Sequence, residues 1–284
     1  MKRVRFLKLT KILKVAALDV AIFAVLFVML VPFIWLVLTS FKRPIDYLSW
    51  PPVVVPDIWT LSNYKMILEK PMIFNNFANS MIIAVVSTLL AVLIGSAGAY
   101  GLLRTKLPFK LNNIILIWIL ITRMYPAIAT AVPYFVLIQK LGLIDTKIAL
   151  IITYTSFSLP FVVWLMLGFF QGIPKSLEDA AIVDGCNFFQ RFVRIIFPLS
   201  APGIIATTIL SFILAWNEFL FAVILTSLNA KTIPVVIAGF ITDKGLEWGE
   251  MSALGVAFVL PVIILAWISQ KYLVRGLTLG AVKG

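Results

Sequence analysis

Six apolar runs, each long enough to cross a lipid bilayer, divide this 284-residue chain from end to end. A hydrocarbon core of about 30 Å needs about 20 apolar residues in a helix. Because lipid offers no hydrogen-bond partners, the backbone of each run must be satisfied within a helix. The sequence therefore predicts an all-α integral membrane protein with six transmembrane helices. The predicted spans cover 15–41, 76–103, 111–138, 148–170, 201–226 and 251–273.

The composition agrees with this fold class. Charged residues make up only 13% of the chain, against about a quarter of an ordinary soluble domain, and the mean hydropathy is +1.06. The basic N-terminus resembles the start of a signal peptide. The apolar run behind it is longer than a signal peptide's and lacks a small-residue cleavage site, so we interpret it as a retained first span.

The distribution of Lys and Arg predicts the orientation of the spans, because cytoplasmic segments carry the excess of these residues. With the N-terminus inside, fifteen of the 24 basic residues lie on the cytoplasmic side and eight on the outer side. We therefore expect both termini in the cytoplasm, in a multi-pass protein of the cell membrane. Topology in the lipid bilayer accounts for the net charge of +12, and no nucleic-acid partner is predicted.

Several kinds of chemistry lack the residues they need. The chain contains no histidine and a single cysteine, Cys186, which removes His-based metal sites and Ser-His or Cys-His nucleophiles. The sequence has no G-x-S-x-G motif and no G-x-x-x-x-G-K-[ST] motif for binding ATP. We predict a protein that is not an enzyme, with no catalytic residues, no metal and no cofactor.

The segments between the spans suggest three parts. Residues 1–75 form a basic N-terminal segment, the first span and an external loop. Residues 76–273 form a core of five spans, which includes a polar segment at 171–200. Residues 274–284 form a cytoplasmic tail that is glycine-rich and therefore a poor helix.

The segment at 171–200 is predicted to form two short helices. Ser176 and Asp179 have the spacing of a capping box at a helix start, and Gly185 is placed to end that helix in the left-handed conformation. A second helix, amphipathic and rich in Phe, follows up to Pro198. The residues themselves leave two interpretations open, an interfacial hairpin lying on the membrane or a docking surface for a partner.

This segment resembles the EAA loop of permease subunits of binding-protein-dependent ABC importers. That pattern reads E-A-A, three residues, G, nine residues, I-x-L-P. The chain has Asp-Ala-Ala at 179–181, then Gly185, then Ile195 and Pro198 at the same spacing. It departs from the pattern in Asp179 for Glu and in Phe197 for Leu.

The resemblance extends from about residue 15 to the end of the chain and is to sugar-importer permeases of the maltose-transporter (MalG-like) type. The stretches that carry it beyond the loop are 141–150, 158–181, 215–226 and 275–284. It implies a permease subunit that forms a path for a sugar, with an oligosaccharide as the expected class. The implied partners are a second homologous permease, an ATP-binding cassette ATPase dimer and an external sugar-binding protein.

The resemblance also implies a role for residues 171–200, here named the coupling loop, in a cleft of the ATPase. Asp179 is one methylene shorter than the Glu of the pattern, so its contact is expected to be weaker, with neighbouring Glu178 able to substitute in part. The tail is expected to reach extended into the ATPase pair. The expected coupling residues are Glu178, Asp179, Ala180, Ala181, Asp184, Gly185 and Pro198.

Polar residues within the spans are the candidates for a substrate path, because ionisable groups in lipid are costly and usually face the protein interior. Arg123 and Glu218 could form an ion pair, or each could find another partner. Trp216 and Asn217 offer an aromatic face and an amide to a sugar, and Tyr154 could line the same path. The alternative for Trp216 is a role as a membrane anchor.

A different class of transporter remains as the alternative function. An ion-coupled secondary transporter of a small polar solute would show inverted repeats and interrupted helices at matched positions, and the sequence displays neither convincingly. Pro126 and Pro133 are both expected to kink the third span.

Overall fold

The structure, a computed structural model, describes the backbone of residues 2–242 and 245–279, and the side chains of residues 14–241 and 245–270. Helices dominate this part of the chain, and one short hairpin pairs Ile241–Thr242 (β1) with Gly245–Leu246 (β2). The helices are α1 Lys2–Ser40, α2 Pro44–Tyr47, α3 Ser62–Leu68, α4 Pro71–Arg104, α5 Leu111–Met124, α6 Ala127–Lys140, α7 Lys147–Gln171, α8 Lys175–Val183, α9 Phe188–Arg191, α10 Phe197–Leu199, α11 Ala201–Trp216, α12 Leu220–Leu225, α13 Ile233–Ala238 and α14 Trp248–Leu279.

Within the described residues, four continuous helical stretches are long and apolar enough to cross a membrane, at Lys14–Ser40, Pro71–Arg104, Lys147–Gln171 and Trp248–Gln270. Two further stretches pass the same test only as bent pairs of helices, which brings the number of candidate spans to at most six. The all-α membrane class predicted from the sequence is confirmed.

The third predicted span is sharply bent. Its two halves, α5 with the preceding turn and α6, meet at an angle of 100°, at Tyr125 and Pro126. Tyr125 is extended, the conformation that a following proline favours, so the helix ends there. The kink at Pro126 is thus confirmed. Pro133, where a second kink was expected, lies inside α6, and this helix continues through the proline without a break.

The core is built on α4 and α7, which pack along one another. Small residues recur on the buried face of α4 at helical spacing, and they allow the backbones to approach closely. These residues are Ala84, Ser87, Ala91, Gly95 and Ala99. The facing side of α7 supplies larger side chains, among them Val162, Met166 and Phe170.

The contacts divide the described chain into two compact units. One unit takes in the segment up to Glu69 together with Phe240–Ala257, and the other takes in Lys70–Gly239 and the segment from Phe258. In the first unit the buried amide of Asn63 donates hydrogen bonds to the carbonyls of Ser40 and Lys42, at 2.9 and 3.0 Å. These bonds tie α3 to the end of α1 and to Lys42 just beyond it.

In the second unit, Asp145 between α6 and α7 holds the loop after α12. Its carboxylate accepts hydrogen bonds from the backbone N–H groups of Ser227, Leu228, Asn229 and Ala230, at 2.9 to 3.2 Å. Burial by itself would raise the pKa of Asp145, but these N–H groups stabilise the carboxylate and hold its pKa well below the usual range. A single side chain therefore fixes the shape of a four-residue loop.

The C-terminal segment differs from the sequence expectation. α14 continues without a break to Leu279, so the tail is helical up to that residue and not extended. Gly276 lies inside this helix, and a single glycine in a helix costs only about 1 kcal/mol relative to alanine. The remaining residues of the predicted tail, 280–284, lie outside the described residues.

Candidate coupling loop and intramembrane site

The first arm of the coupling loop is the short helix α8, which ends in a left-handed turn. Gly185 has a φ of +80°. Its N–H donates to the carbonyl of Ile182, and the N–H of Cys186 donates to the carbonyl of Ala181 at 2.9 Å. These two bonds are those of a Schellman motif, so the prediction that Gly185 ends this helix is confirmed.

The predicted start of α8 is wrong by two residues. The helix begins at Lys175, after Pro174, and no side chain caps it. Ser176 is already inside the first turn, where its hydroxyl is not placed to accept from the orphan N–H groups. The proline supplies the extended conformation that precedes the helix, so the S-x-x-D pattern is not used as a capping box here.

The structure divides the predicted coupling residues into two groups. Glu178 and Ala181 are buried against the chain's own core, at 2% and 3% exposure. The others are exposed and available to a partner: Asp179, Ala180, Asp184, Gly185 and Pro198.

Glu178 therefore cannot substitute for the Glu of the EAA pattern. Its carboxylate accepts hydrogen bonds from the Tyr100 hydroxyl at 2.8 Å and from Arg104 Nε at 2.6 Å. Both partners are on α4, so the side chain points into the protein and away from any ATPase. The helical period explains the difference, because Asp179 is rotated by about 100° from Glu178 around α8.

The second arm begins with a capping box that the sequence analysis missed. The Asn187 side chain accepts from the N–H of Gln190 at 2.8 Å, and the Gln190 side chain accepts from the N–H of Asn187 at 2.9 Å. The N-x-x-Q spacing before a Phe-rich run was the available signal. The arm continues through a π-helical turn at Phe192–Ile196, which places Ile196 in the core at 0% exposure.

Large apolar side chains are exposed along both arms. Val183 is 88% exposed and Phe189 is 70% exposed, and exposed apolar patches mark sites of interaction with proteins or membranes. Carboxylates of Asp179 and Asp184 lie on the same arm. We name five of the exposed apolar residues of the loop the docking surface: Leu177, Ile182, Val183, Phe189 and Val193.

Trp216, predicted as a sugar-stacking residue, is instead part of the core. Its ring stacks between Phe212 and Phe258, with centroid distances of 5.5 and 4.8 Å. Its Nε1 donates to the carbonyl of Phe258 at 3.2 Å, and the residue is 1% exposed. Both faces and the polar atom are occupied, so the ring is neither a platform for a sugar nor a membrane anchor.

The fifth predicted span is interrupted immediately after Trp216. Asn217 is exposed and its amide donates to the carbonyl of Ile213 at 2.8 Å. The Glu218 carboxylate accepts from the N–H groups of Phe221 and Ala222, at 2.9 and 3.2 Å. Glu218 thus caps the start of α12 from within the predicted span. The buried Tyr154 hydroxyl is directed at this carboxylate, although its geometry falls short of a hydrogen bond.

Arg123 and Glu218 do not form the ion pair that the sequence suggested. The Arg123 guanidinium lies over the ring of Phe161, 5.3 Å from its centroid, and the side chain is exposed. Within the described residues, no carboxylate lies within ion-pair distance of it. The break before α12 directs Glu218 to backbone N–H groups, and the 100° bend after α5 ends the helix beside Arg123.

Residues 91–279 match the protein family described as the binding-protein-dependent transport system inner membrane component. The chain belongs to this family. The trehalose/maltose transport system permease protein MalG of Thermococcus litoralis is 38% identical over 278 residues, covering 96% of this chain and 99% of that protein. The trehalose transport system permease protein SugB of Mycobacterium tuberculosis is 35% identical over 258 residues, covering 90% of this permease and 93% of that one.

Solved structures agree with the permease fold. A chain in the crystal structure of a bacterial ABC transporter that imports the acidic polysaccharide alginate is 25% identical, with a TM-score of 0.77. The likeness covers 91% of this permease and 95% of that chain. A chain of the MetNI methionine ABC transporter, 17% identical with a TM-score of 0.58, shares the fold.

These findings establish the protein as a multi-pass membrane protein and as a permease subunit of an ABC importer. The ion-coupled secondary transporter receives no support from them. The expected class of protein and the resemblance to sugar-importer permeases are both confirmed.

Proposed function

We propose that this permease forms, with a second homologous permease, the membrane path for a sugar, with an oligosaccharide as the expected class. An external binding protein delivers the sugar, and an ATPase dimer bound to the coupling loop drives the cycle. The support for the sugar is that relatives similar over most of their length are described as trehalose/maltose and trehalose permeases. A further relative, 33% identical, is described as a diacetylchitobiose uptake permease of Streptomyces coelicolor, which is again named for a disaccharide.

The observation that carries the coupling role is the docking surface. The loop exposes the five apolar side chains of the docking surface, while its residues Glu178 and Ile196 are packed inward. A rigid loop that exposes Val183 and Phe189 beside two carboxylates has the chemistry of a protein interface, whose core is apolar and whose rim is polar.

ATP is hydrolysed on a separate subunit in this proposal, because the sequence has no P-loop. The permease itself has no catalytic role. The charge distribution supports placing both termini and the coupling loop in the cytoplasm. We propose residues 76–273 as the permease core, with 1–75 and 274–284 as flanking segments.

Among the candidates for the sugar path, Arg123 and Asn217 are the exposed ones, and we propose them as the polar groups facing it. Tyr154 and Glu218 support the path from the interior, beside the break before α12. Trp216 contributes packing only.

A pull-down from native membranes tests the partners. The tagged permease is expected to co-purify with a P-loop ATPase and a second permease. Val183→Asp places a charge in the docking surface and should remove the ATPase while the second permease remains. Phe109→Asp is the matched control, because Phe109 is a 91% exposed apolar residue outside the coupling loop. A wild-type chain that transports solute while purifying without any ATPase would refute the proposal.

The single cysteine provides a test of orientation. Cys186 lies in the turn of the coupling loop and is partly exposed. A membrane-impermeant maleimide should label it in inside-out vesicles and not in right-side-out vesicles. The opposite pattern would place the coupling loop outside and contradict the proposed topology.

A further inference from the structure

Glu178 is the one acidic residue of the coupling loop that points into the protein. Its carboxylate is 2% exposed, and its two oxygens have different partners. Oε2 accepts from the Tyr100 hydroxyl at 2.8 Å and Oε1 accepts from Arg104 Nε at 2.6 Å. Both partners lie on the last turns of α4, so the first arm of the loop is bonded directly to the end of a membrane span.

Arg104 extends this link to a second span. Its Nη2 donates to the carbonyls of Phe170 and Ile173, at 3.4 and 3.5 Å. Phe170 is in the last turn of α7, and Ile173 is in the connection to α8. The guanidinium therefore joins α4, the end of α7 and α8, and its side chain is only 16% exposed.

Tyr100 connects the same point to the second arm of the loop. Its ring lies 4.7 Å from the ring of Phe188 and stacks on Phe192 at 5.1 Å. It also meets the edge of Phe170 at 6.1 Å. This 1% exposed tyrosine thus contacts both arms of the coupling loop through one side chain, with its hydroxyl on α8 and its ring on the second arm.

The energetics of burial make this arrangement stiff. Separating a buried carboxylate from its cation and its hydroxyl donor leaves charges without compensation, which is strongly unfavourable. The loop cannot pivot on α4 without breaking these bonds. It has no such restraint on its other side, where Asp179 and Val183 are exposed to a partner.

We propose that Glu178, held by Tyr100 and Arg104, is a positioning residue that makes the coupling loop move as one body with the ends of α4 and α7. A displacement of the loop by the ATPase then reaches the membrane spans and is not absorbed by flexing of the loop. This inference rests on the proposed function, because the ATPase supplies the displacement.

The test uses the complete importer in proteoliposomes and compares Glu178→Gln with Glu69→Gln. Glu69 is an exposed carboxylate paired with Lys65, so its neutralisation controls for loss of one charge. In Glu178→Gln we expect the ATPase to remain bound, and the number of ATP molecules hydrolysed per solute transported to rise about tenfold, a size typical of coupling between sites. Glu178→Asp, which keeps the charge, should restore part of the ratio.

A second measurement is independent of transport. Hydrogen exchange of the α8 amides, followed on the permease alone, should be faster in Glu178→Gln and, to a smaller degree, in Tyr100→Phe than in Glu69→Gln. Should Glu178→Gln fail to assemble, the milder Tyr100→Phe variant carries both measurements.

The two measurements separate the possible failures. If the wild-type chain binds no ATPase, the proposed function is lost, while faster exchange in Glu178→Gln still supports the stiff link. If the ATPase binds and the ratio and the exchange of Glu178→Gln equal those of Glu69→Gln, the link is overturned and the proposed function stands.

Discussion

Gly95 of α4 lies against Val162 of α7 so closely that a Cβ atom on Gly95 would stand 2.6 Å from the Val162 Cγ1. Real side chains do not approach to that distance, so the crossing of these two helices depends on the missing methyl group. Gly98, one turn further along α4, has a different environment. Among the described residues, no atom outside its own helix neighbourhood lies within 4 Å of a Cβ built there.

Gly95→Ala should destabilise the permease, because the added methyl group overlaps a packed side chain. Overpacking of this kind costs about 1–3 kcal/mol, and thermal unfolding in detergent should register it. Gly98→Ala is the matched control and should leave the unfolding temperature unchanged or slightly raised. Combining Gly95→Ala with Val162→Ala should recover part of the loss, and no recovery would mean that the contact is not the cause.

Gly185→Ala should weaken the turn of the coupling loop. A left-handed conformation costs a residue with a Cβ about 1–2 kcal/mol, and Gly185 has a φ of +80°. We expect reduced co-purification of the ATPase, since the docking surface on the two arms loses its fixed geometry. Gly168→Ala, at a helical glycine with open space around it in the described structure, should bind the ATPase normally. Equal binding by both variants would show that the turn geometry is unimportant.

The loop held by Asp145 should loosen in acid. Because its folded pKa lies below the ordinary value, the carboxylate contributes stability in full above the ordinary pKa of about 3.9. That contribution is lost progressively as the pH falls through this ordinary value toward the lower folded pKa. Hydrogen exchange of the amides of 227–230 should therefore accelerate in acid beyond the intrinsic rate.

Asp145→Asn should remove this extra dependence and give faster exchange at neutral pH. Asp57→Asn, at an exposed carboxylate in the loop between α2 and α3, should behave as the wild type. A wild-type loop whose protection is constant through the acid range would contradict the role of the carboxylate.

Arg123→Ala and Glu218→Ala should act independently. The two side chains have separate partners, the ring of Phe161 and the N–H groups of α12, and independent sites give additive effects within about 0.5 kcal/mol. Glu218→Ala removes the cap of α12 and should cost about 1 kcal/mol of stability. The double variant, measured by thermal unfolding and transport rate, should show the sum. A loss smaller than the sum would reveal the ion pair that the structure lacks.

The sequence by itself determined the class of the protein and the position of its coupling loop. Runs of about 20 apolar residues can only be helices in lipid, and a glycine in a polar segment between two spans marks a helix end wherever the helices later pack. The length of an apolar run and the presence of a helix-ending glycine are local properties of the chain, which do not depend on how the helices pack. The end of α8 at Gly185 and the bend at Pro126 were predictable for that reason.

The tertiary structure alone decided which polar residues face inward. Glu178 and Asp179 are adjacent carboxylates. The EAA spacing selects Asp179, but only the packing of α8 on α4 shows that Glu178 is buried beside Arg104 and Asp179 is exposed. Likewise, the sequence offered Trp216 as a sugar-stacking residue, and only the structure shows that its ring packs against Phe212 and Phe258. The choice depends on contacts between residues far apart in the chain, and a single sequence carries no record of those distances.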